Sequence, residues 1–158
     1  MTNYICINGN KTELTEEQLK QLGIDIPKVN PFARVKKGDE YLFITSVGEV
    51  GWHRDINDHV DNGCFNVANY CTDKAIMEQR ALHETLNRLL WRYSMEHNGD
   101  KINLNHCWGL GYSKGVFEAY ELWGHVFGEC VFYSKEIAAN AIEEIVEPFM
   151  AAHPDFKF

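Results

Sequence analysis

The sequence predicts an α+β fold: an antiparallel sheet built from two similar βββα units with helices on one face, plus a small N-terminal hairpin and helix. Three observations lead there. The stretch "FNVANYCTDKA" beginning at Phe65 is nearly repeated as "FGECVFYSKEI" beginning at Phe127, each an apolar run entering a hydroxyl residue and then a helical pattern. A hairpin-like segment with a glycine turn precedes each of these junctions. A chain of 158 residues, 45% hydrophobic and 13% aromatic, is enough for one core. The reading is a single domain, 1–158: a hairpin, short helix and connector over 1–36, a first unit over 37–99 and a second over 100–158.

Taken in order, "NYICINGNKTEL" places Asn8-Gly9 between two strand-like pieces, the dipeptide of a tight hairpin turn. In "TEEQLKQLG", Thr15 and Gln18 have capping-box spacing and Gly23 stands where a short surface helix stops. Pro27 and Pro31 punctuate an extended connector. "YLFITSVGEVGW" is a second hairpin turning near Gly48. The polar loop "HRDINDHVDNG" leads to an expected strand, "CFNVANY", and Thr72 is placed to cap a helix carrying Leu82, Leu86, Leu89 and Tyr93 along one apolar stripe. His97-Asn98-Gly99 ends that helix.

The scheme then restarts. "INLNHCWGLGY" alternates Ile102, Leu104, Trp108, Leu110 and Tyr112 with Asn103, Asn105, Gly109 and Gly111. A turn at "SKG" leads through "VFEAYELW" and "VFGECVFY" to Ser134, which caps a helix with Ala138, Ala141, Ile142, Ile145 and Phe149 on one side. Ser46 and Gly48 correspond to Ser113 and Gly115, Trp52 to Trp123, and Phe65 to Thr72 spans the same distance as Phe127 to Ser134. The halves differ most between the turn glycine and the third strand, where the first copy carries five extra residues. Insertions in repeats tend to fall on functional loops.

Lys plus Arg number 15 against 23 Asp plus Glu, a formal charge of -8. That balance argues against direct DNA or RNA binding and against an anionic membrane surface, and it favours basic partners. No run approaches the about 18 apolar residues of a membrane span, and no basic and apolar leader opens the chain, so a cytoplasmic protein is expected. Cys6, Cys64, Cys71, Cys107 and Cys130 are odd in number and contain no CxxC pair, which predicts reduced, mostly buried thiols.

Catalytic signatures are absent: there is no GxSxG, P-loop, dinucleotide fingerprint or HExxH. "WGLGYSKG" fits a hairpin better than a phosphate loop, because its glycines alternate along a strand, where they would let a helix or ligand approach the sheet. The inserted loop gathers His53, Arg54, Asp55, Asp58, His59 and Asp61. Its His and Asp residues are types that bind hard or borderline metals, but the spacing matches no calcium loop, so it reads as a mobile acidic surface loop and the candidate partner-binding segment. His106, Cys107, His125 and Cys130 suggest a zinc site only superficially, since neighbours on a strand point to opposite faces; a core histidine is the expectation for His106. Arg80, Arg88 and Arg92, with Glu84 and Trp91, form the one cationic cluster long enough to suggest an anionic ligand.

The segments "NPFARVKKGDEYLFI", "VGEV", "FNVANYCTDKAIMEQRA" and "FGECVFYSKEIAANAIEEI" together resemble a family of small uncharacterised proteins from phages and prophages of Firmicutes, over most of residues 30–147. Asn69, Tyr70, Thr72 and Ala75 fit its first strand-to-helix junction, and Val131, Phe132, Ser134, Ile137 and Ala138 the second; Cys71 and Asp73-Lys74 depart from the pattern. The resemblance implies an accessory viral role and carries over no site residues. The expected function is a noncatalytic binding protein without cofactor that blocks a host defence protein handling nucleic acid, as anti-CRISPR proteins do. Two alternatives stand beside it: a sponge for a nucleotide messenger, built at an oligomer interface around Arg80, Arg88, Trp91 and Arg92, and a metal-dependent enzyme using His53, Asp55, Asp58 and His59.

Overall fold

A computed structural model describes residues 4–7, 10–23, 30–99, 106–124 and 130–157. The chain divides into two compact units, Met1–Ala33 and Arg34–Phe158. In the first, β1 (Tyr4–Ile7) pairs antiparallel with β2 (Asn10–Glu13), Ile7 opposite Asn10. The expected turn residues Asn8 and Gly9 lie outside the described residues. Helix α1 (Glu16–Gln21) starts with the expected capping box: the Thr15 N–H donates to Gln18 Oε1 at 2.9 Å and the Gln18 N–H to Thr15 Oγ1 at 3.3 Å.

The second unit is mixed α and β, as expected. Strands β3 (Glu40–Ile44) and β4 (Val50–Arg54) form one antiparallel hairpin, and β5 (Cys107–Ser113) and β6 (Val116–Leu122) another. Among the described residues every sheet is two-stranded, so the single sheet expected from the sequence is not present there. Among the described residues, each expected third strand is represented by one bridge. Leu42 pairs with Cys71 through N–H···O bonds of 2.7 and 3.0 Å, and Trp108 pairs with Phe132 through two of 2.8 Å. Two residues after each bridge a side chain caps a helix: Asp73, not the expected Thr72, accepts the Ile76 N–H ahead of α3 (Lys74–Asn98), and Ser134 accepts the Ile137 N–H ahead of α4 (Lys135–Ala141). Residues 102–105 and 126–129, expected as strand, lie outside the described residues.

The segment read as loop and strand over 53–70 is corrected most. Residues His59–Asn66 form helix α2, because Asp58 accepts the N–H groups of Val60 and Asp61 while Asp61 accepts the Asp58 N–H, a reciprocal capping box written in aspartates. The chain leaves α2 through Ala68, at φ +57°, and becomes extended only near Cys71.

Helix α3 serves two hydrophobic clusters instead of the single shared core expected. Its N-terminal half places Met77 and Ala81 against Ile44, Leu42 and Val50; its C-terminal half places Leu86, Leu90 and Tyr93 against Phe132, Val146 and Phe149. Of the expected stripe, Leu86 and Tyr93 are buried, while Leu82 and Leu89 pack at the margin. After α4 a π-turn (Ile142–Val146) leads into α5 (Glu147–Ala152), with the Glu147 N–H reaching back five residues to the Ile142 carbonyl. Pro148 follows at once and has no N–H to continue an α-helical ladder, which is the physical occasion for the wider turn. The extra residue turns Val146 into the core and leaves Ile145, expected there, half-buried.

The nearest atoms to Gly109 and Gly111 come from β6 and not from a helix. Tyr120 from β6 lies across both; an added Cβ at Gly109 would stand 3.0 Å from its ring, and one at Gly111 3.2 Å.

Candidate functional site

Five segments converge on one buried polar network: the chain before β3, β3 itself, the end of β4, α2, and the approach to the Leu42–Cys71 bridge. Asp55, just past β4, is 1% exposed and accepts two bonds from Arg34, Nε at 2.9 Å and Nη2 at 3.2 Å, one from the Tyr70 hydroxyl at 2.9 Å and one from the Asn57 N–H at 2.8 Å. Asp61, fully buried, accepts the Tyr41 hydroxyl at 3.0 Å, the Ile56 N–H at 2.8 Å and the Asp58 N–H at 3.1 Å. Tyr41 and Tyr70 stack at 4.0 Å with planes 14° apart, joining the two carboxylate centres. Arg34 also reaches the Asn62 side chain and lies over the Phe65 ring.

The electrostatics follow from these bonds. The Arg34 guanidinium holds the Asp55 carboxyl below the usual range, and Asp55 in turn raises Arg34. Burial pushes Asp61 up, but the Asp58 N–H, the Tyr41 hydroxyl and the Ile56 N–H outweigh it and leave that carboxyl low as well. Burial, then the Asp61 carboxylate, pushes the Tyr41 hydroxyl well above its ordinary value. Two anions are therefore built into the interior with their donors supplied, and no buried side-chain nitrogen or oxygen among the described residues lacks a partner.

This rewrites the expected mobile acidic loop. Asp55 and Asp61 face inward and hold the segment together; the charge they bring is spent on Arg34, Tyr41, Tyr70 and backbone amides. Asp58 is half-buried and caps α2. His53, Arg54 and His59 remain exposed; His53 meets Tyr41 edge-on and sits 3.7 Å from Asp61, and Arg54 pairs with Glu40 at 3.4 Å. Interleaved with these and with the exposed Asn57 and Asn66, the segment turns four apolar side chains outward: Ile56, Val60, Phe65 and Val67, the last at 69% exposure. Sequence reasoning counted the polar letters and missed this division. The Asp-x-x-Asp spacing of Asp58 and Asp61 was the available signal for it.

The cationic alternative is dispersed. Arg80 and Arg88 both pair with Glu84, at 2.9 and 3.4 Å, and Arg80 also donates to the Ala68 carbonyl. Trp91 and Arg92 are exposed one turn further on and do not line the cleft at the start of α3. Of the four tryptophans, Trp52, Trp91 and Trp123 are exposed and Trp108 is half-buried beneath Lys135. Among the described residues no three His, Cys, Asp or Glu side chains gather to hold a metal, and no helix is long and apolar enough to cross a membrane. His106 is not a core histidine: it is exposed, bonded to Glu121 and tilted against Trp123. Cys107 is buried, and burial raises its thiol; His125 lies outside the described residues.

A cleft of about 580 Å³ lies elsewhere, between the β3–β4 turn, the start of α3 and the C-terminal segment. Lys74, its lining cation, is paired with Glu78 at 3.4 Å. Gln79 closes its floor, donating to the Asp155 carbonyl at 2.9 Å and accepting the Lys157 N–H at 2.8 Å. Comparison with protein-family models, curated proteins and solved structures finds no match.

Proposed function

We propose that this chain is a phage or prophage accessory protein that binds stoichiometrically to a nucleic-acid-handling effector of host antiviral defence, in the host cytoplasm and without catalysis of its own. The observation that carries the reading is the division of labour in residues 53–67. A fully satisfied network of Arg34, Asp55, Asp61, Tyr41 and Tyr70 fixes the backbone from within, and Ile56, Val60, Phe65 and Val67 stand on the outside. Apolar side chains held on a preorganised frame are what a binding surface needs, because ordering costs are met before the partner arrives. Arg54 and His59 supply a polar rim, and the chain's net charge of -8 favours encounter with a basic, nucleic-acid-binding face.

The test is inhibition of purified defence nucleases by titration. Inhibition saturating at about one chain per effector, and lost in Val67→Lys, supports the reading. Val67 is the exposed C-cap of α2, where a cation suits the helix dipole, so the substitution spares the fold. Failure to inhibit any member of a panel of such effectors, or equal inhibition by the variant, counts against it.

A further inference from the structure

We propose that the outer edge of β4 is a homodimer contact, where two copies of this chain join β4 to β4 antiparallel and build one four-stranded sheet. The inference is independent of the binding role above. It starts from the two edges of the β3–β4 hairpin. On the β3 side two of the three outward-facing residues are already bonded: Leu42 exchanges both backbone bonds with Cys71, and Ile44 gives its N–H to Asn69 Oδ1 at 2.7 Å and takes the Asn69 Nδ2 at 2.9 Å. Residues of an antiparallel ladder alternate between facing the neighbour and facing away. Leu42 and Ile44 face away from β4, so the residues opposite them, Trp52 and Val50, face away from β3, as does Arg54 opposite Glu40. Among the described residues these β4 groups meet no backbone partner.

The side chains on this edge are self-complementary in one register. Setting Val50 against the partner's Trp52 brings the outward N–H and C=O groups of both strands face to face, and the two-fold axis repeats the pair. Gly51 then meets the partner's Gly51 at the two-fold axis. Glu49 comes level with the partner's His53, a carboxylate opposite an imidazole. The neighbouring register, Trp52 against the partner's Trp52, takes Glu49 away from the partner's His53 and sets Val50 level with the partner's Arg54, an aliphatic side chain opposite a guanidinium, and is disfavoured. The paired arrangement also covers Trp52, which is 67% exposed in a single copy, with the partner's Val50. A two-stranded ribbon is marginal by itself, and four strands are not.

Sedimentation velocity over a concentration series tests this, at an ionic strength where the charge of -8 on each chain is screened beyond about 8 Å. The wild-type chain should pass from monomer to dimer, with hydrogen exchange at the Val50 and Trp52 amides slowing as dimer forms. Trp52→Lys should remain monomeric with an unchanged circular dichroism spectrum, and Glu49→Lys, placing a cation opposite the partner's His53, should weaken the dimer by about tenfold. A wild-type chain that stays monomeric at its highest soluble concentration overturns the proposal. So does a dimer that Trp52→Lys leaves intact, or one whose Val50 and Trp52 amides exchange at the monomer rate, since either places the contact on another face.

Discussion

The side-chain amide of Asn69 lies against the backbone of Ile44 as a strand's peptide group would, donating to its carbonyl at 2.9 Å and accepting its N–H at 2.7 Å. Two more amides do the same work. Asn98 donates to the Val131 carbonyl and accepts the Tyr133 N–H, both at 2.8 Å, and Gln79 brackets Asp155 and Lys157. Each satisfies two backbone groups of an extended segment; Asn69 does so where the Leu42–Cys71 pairing would otherwise continue to Ile44 as a ladder. Asn69→Ala should therefore cost about 1–3 kcal/mol in urea denaturation, the penalty of two unpaired backbone groups. Asn69→Asp should cost more, because a carboxylate accepts the N–H but faces the Ile44 carbonyl with a second acceptor. Equal stability of wild type and Asn69→Ala would show that water replaces the amide freely.

Acid should unfold this chain through the two buried aspartates. Both folded-state values lie below the unfolded one, so across that window the unfolded chain binds more protons and stability falls as pH falls. Their contribution is complete above the ordinary carboxylate range near about pH 4 and is lost below it, as pH passes down through the depressed values. Asp55→Asn leaves Arg34 without its anion: the variant should be less stable at neutral pH, and its stability should change less between pH 5 and acid than that of the wild type. The check is a set of denaturation midpoints against pH for both proteins; parallel curves would refute the assignment.

The sequence disclosed the hairpins and helices α1, α3 and α4, and it located the caps of α3 and α4 to within a residue, because glycine turns, aromatic alternation and capping side chains are local signals; it missed helix α2. It misjudged the sheet. An apolar run such as "CFNVANY" has the composition of a strand, but the Asp58–Asp61 capping box, one turn upstream, commits His59–Asn66 to a helix and leaves too few residues to pair. Nor could composition tell which aspartates face inward. That depends on Arg34, distant in sequence and contributed by the connector, and on tyrosines whose hydroxyls point back at the carboxylates. A run of polar letters looks the same whether its donors are water or Arg34.

The β5–β6 turn admits a stabilising change. Register pairs Ser113 with Val116, leaving Lys114 at φ +54° and Gly115 at φ +85° as the two residues of a turn that needs positive φ at both. Lysine tolerates that backbone poorly and asparagine well. Lys114→Asn should raise stability by about 0.5–1 kcal/mol through relief of this strain, read as a higher denaturation midpoint with an unchanged slope. A lower midpoint would mean that the Lys114 side chain contributes more than its backbone costs.

Gly48 turns the β3–β4 hairpin at φ +87°, and a Cβ there would lie 2.8 Å from Thr85 Oγ1 on α3. Two separable costs follow for Gly48→Ala: backbone strain at positive φ, and a clash with an oxygen that the Ala81 carbonyl holds in place through a 2.8 Å bond. Together they should destabilise the fold by about 1–3 kcal/mol. Thr85→Ala removes the oxygen and leaves the strain. In the double variant the clash should vanish while the φ penalty persists, so the two changes together should cost less than the sum of each alone, by about 0.5 kcal/mol or more. Additive costs would mean that the turn and α3 do not touch at this point, and that the hairpin is held over the helix by Ile44 and Val50 alone.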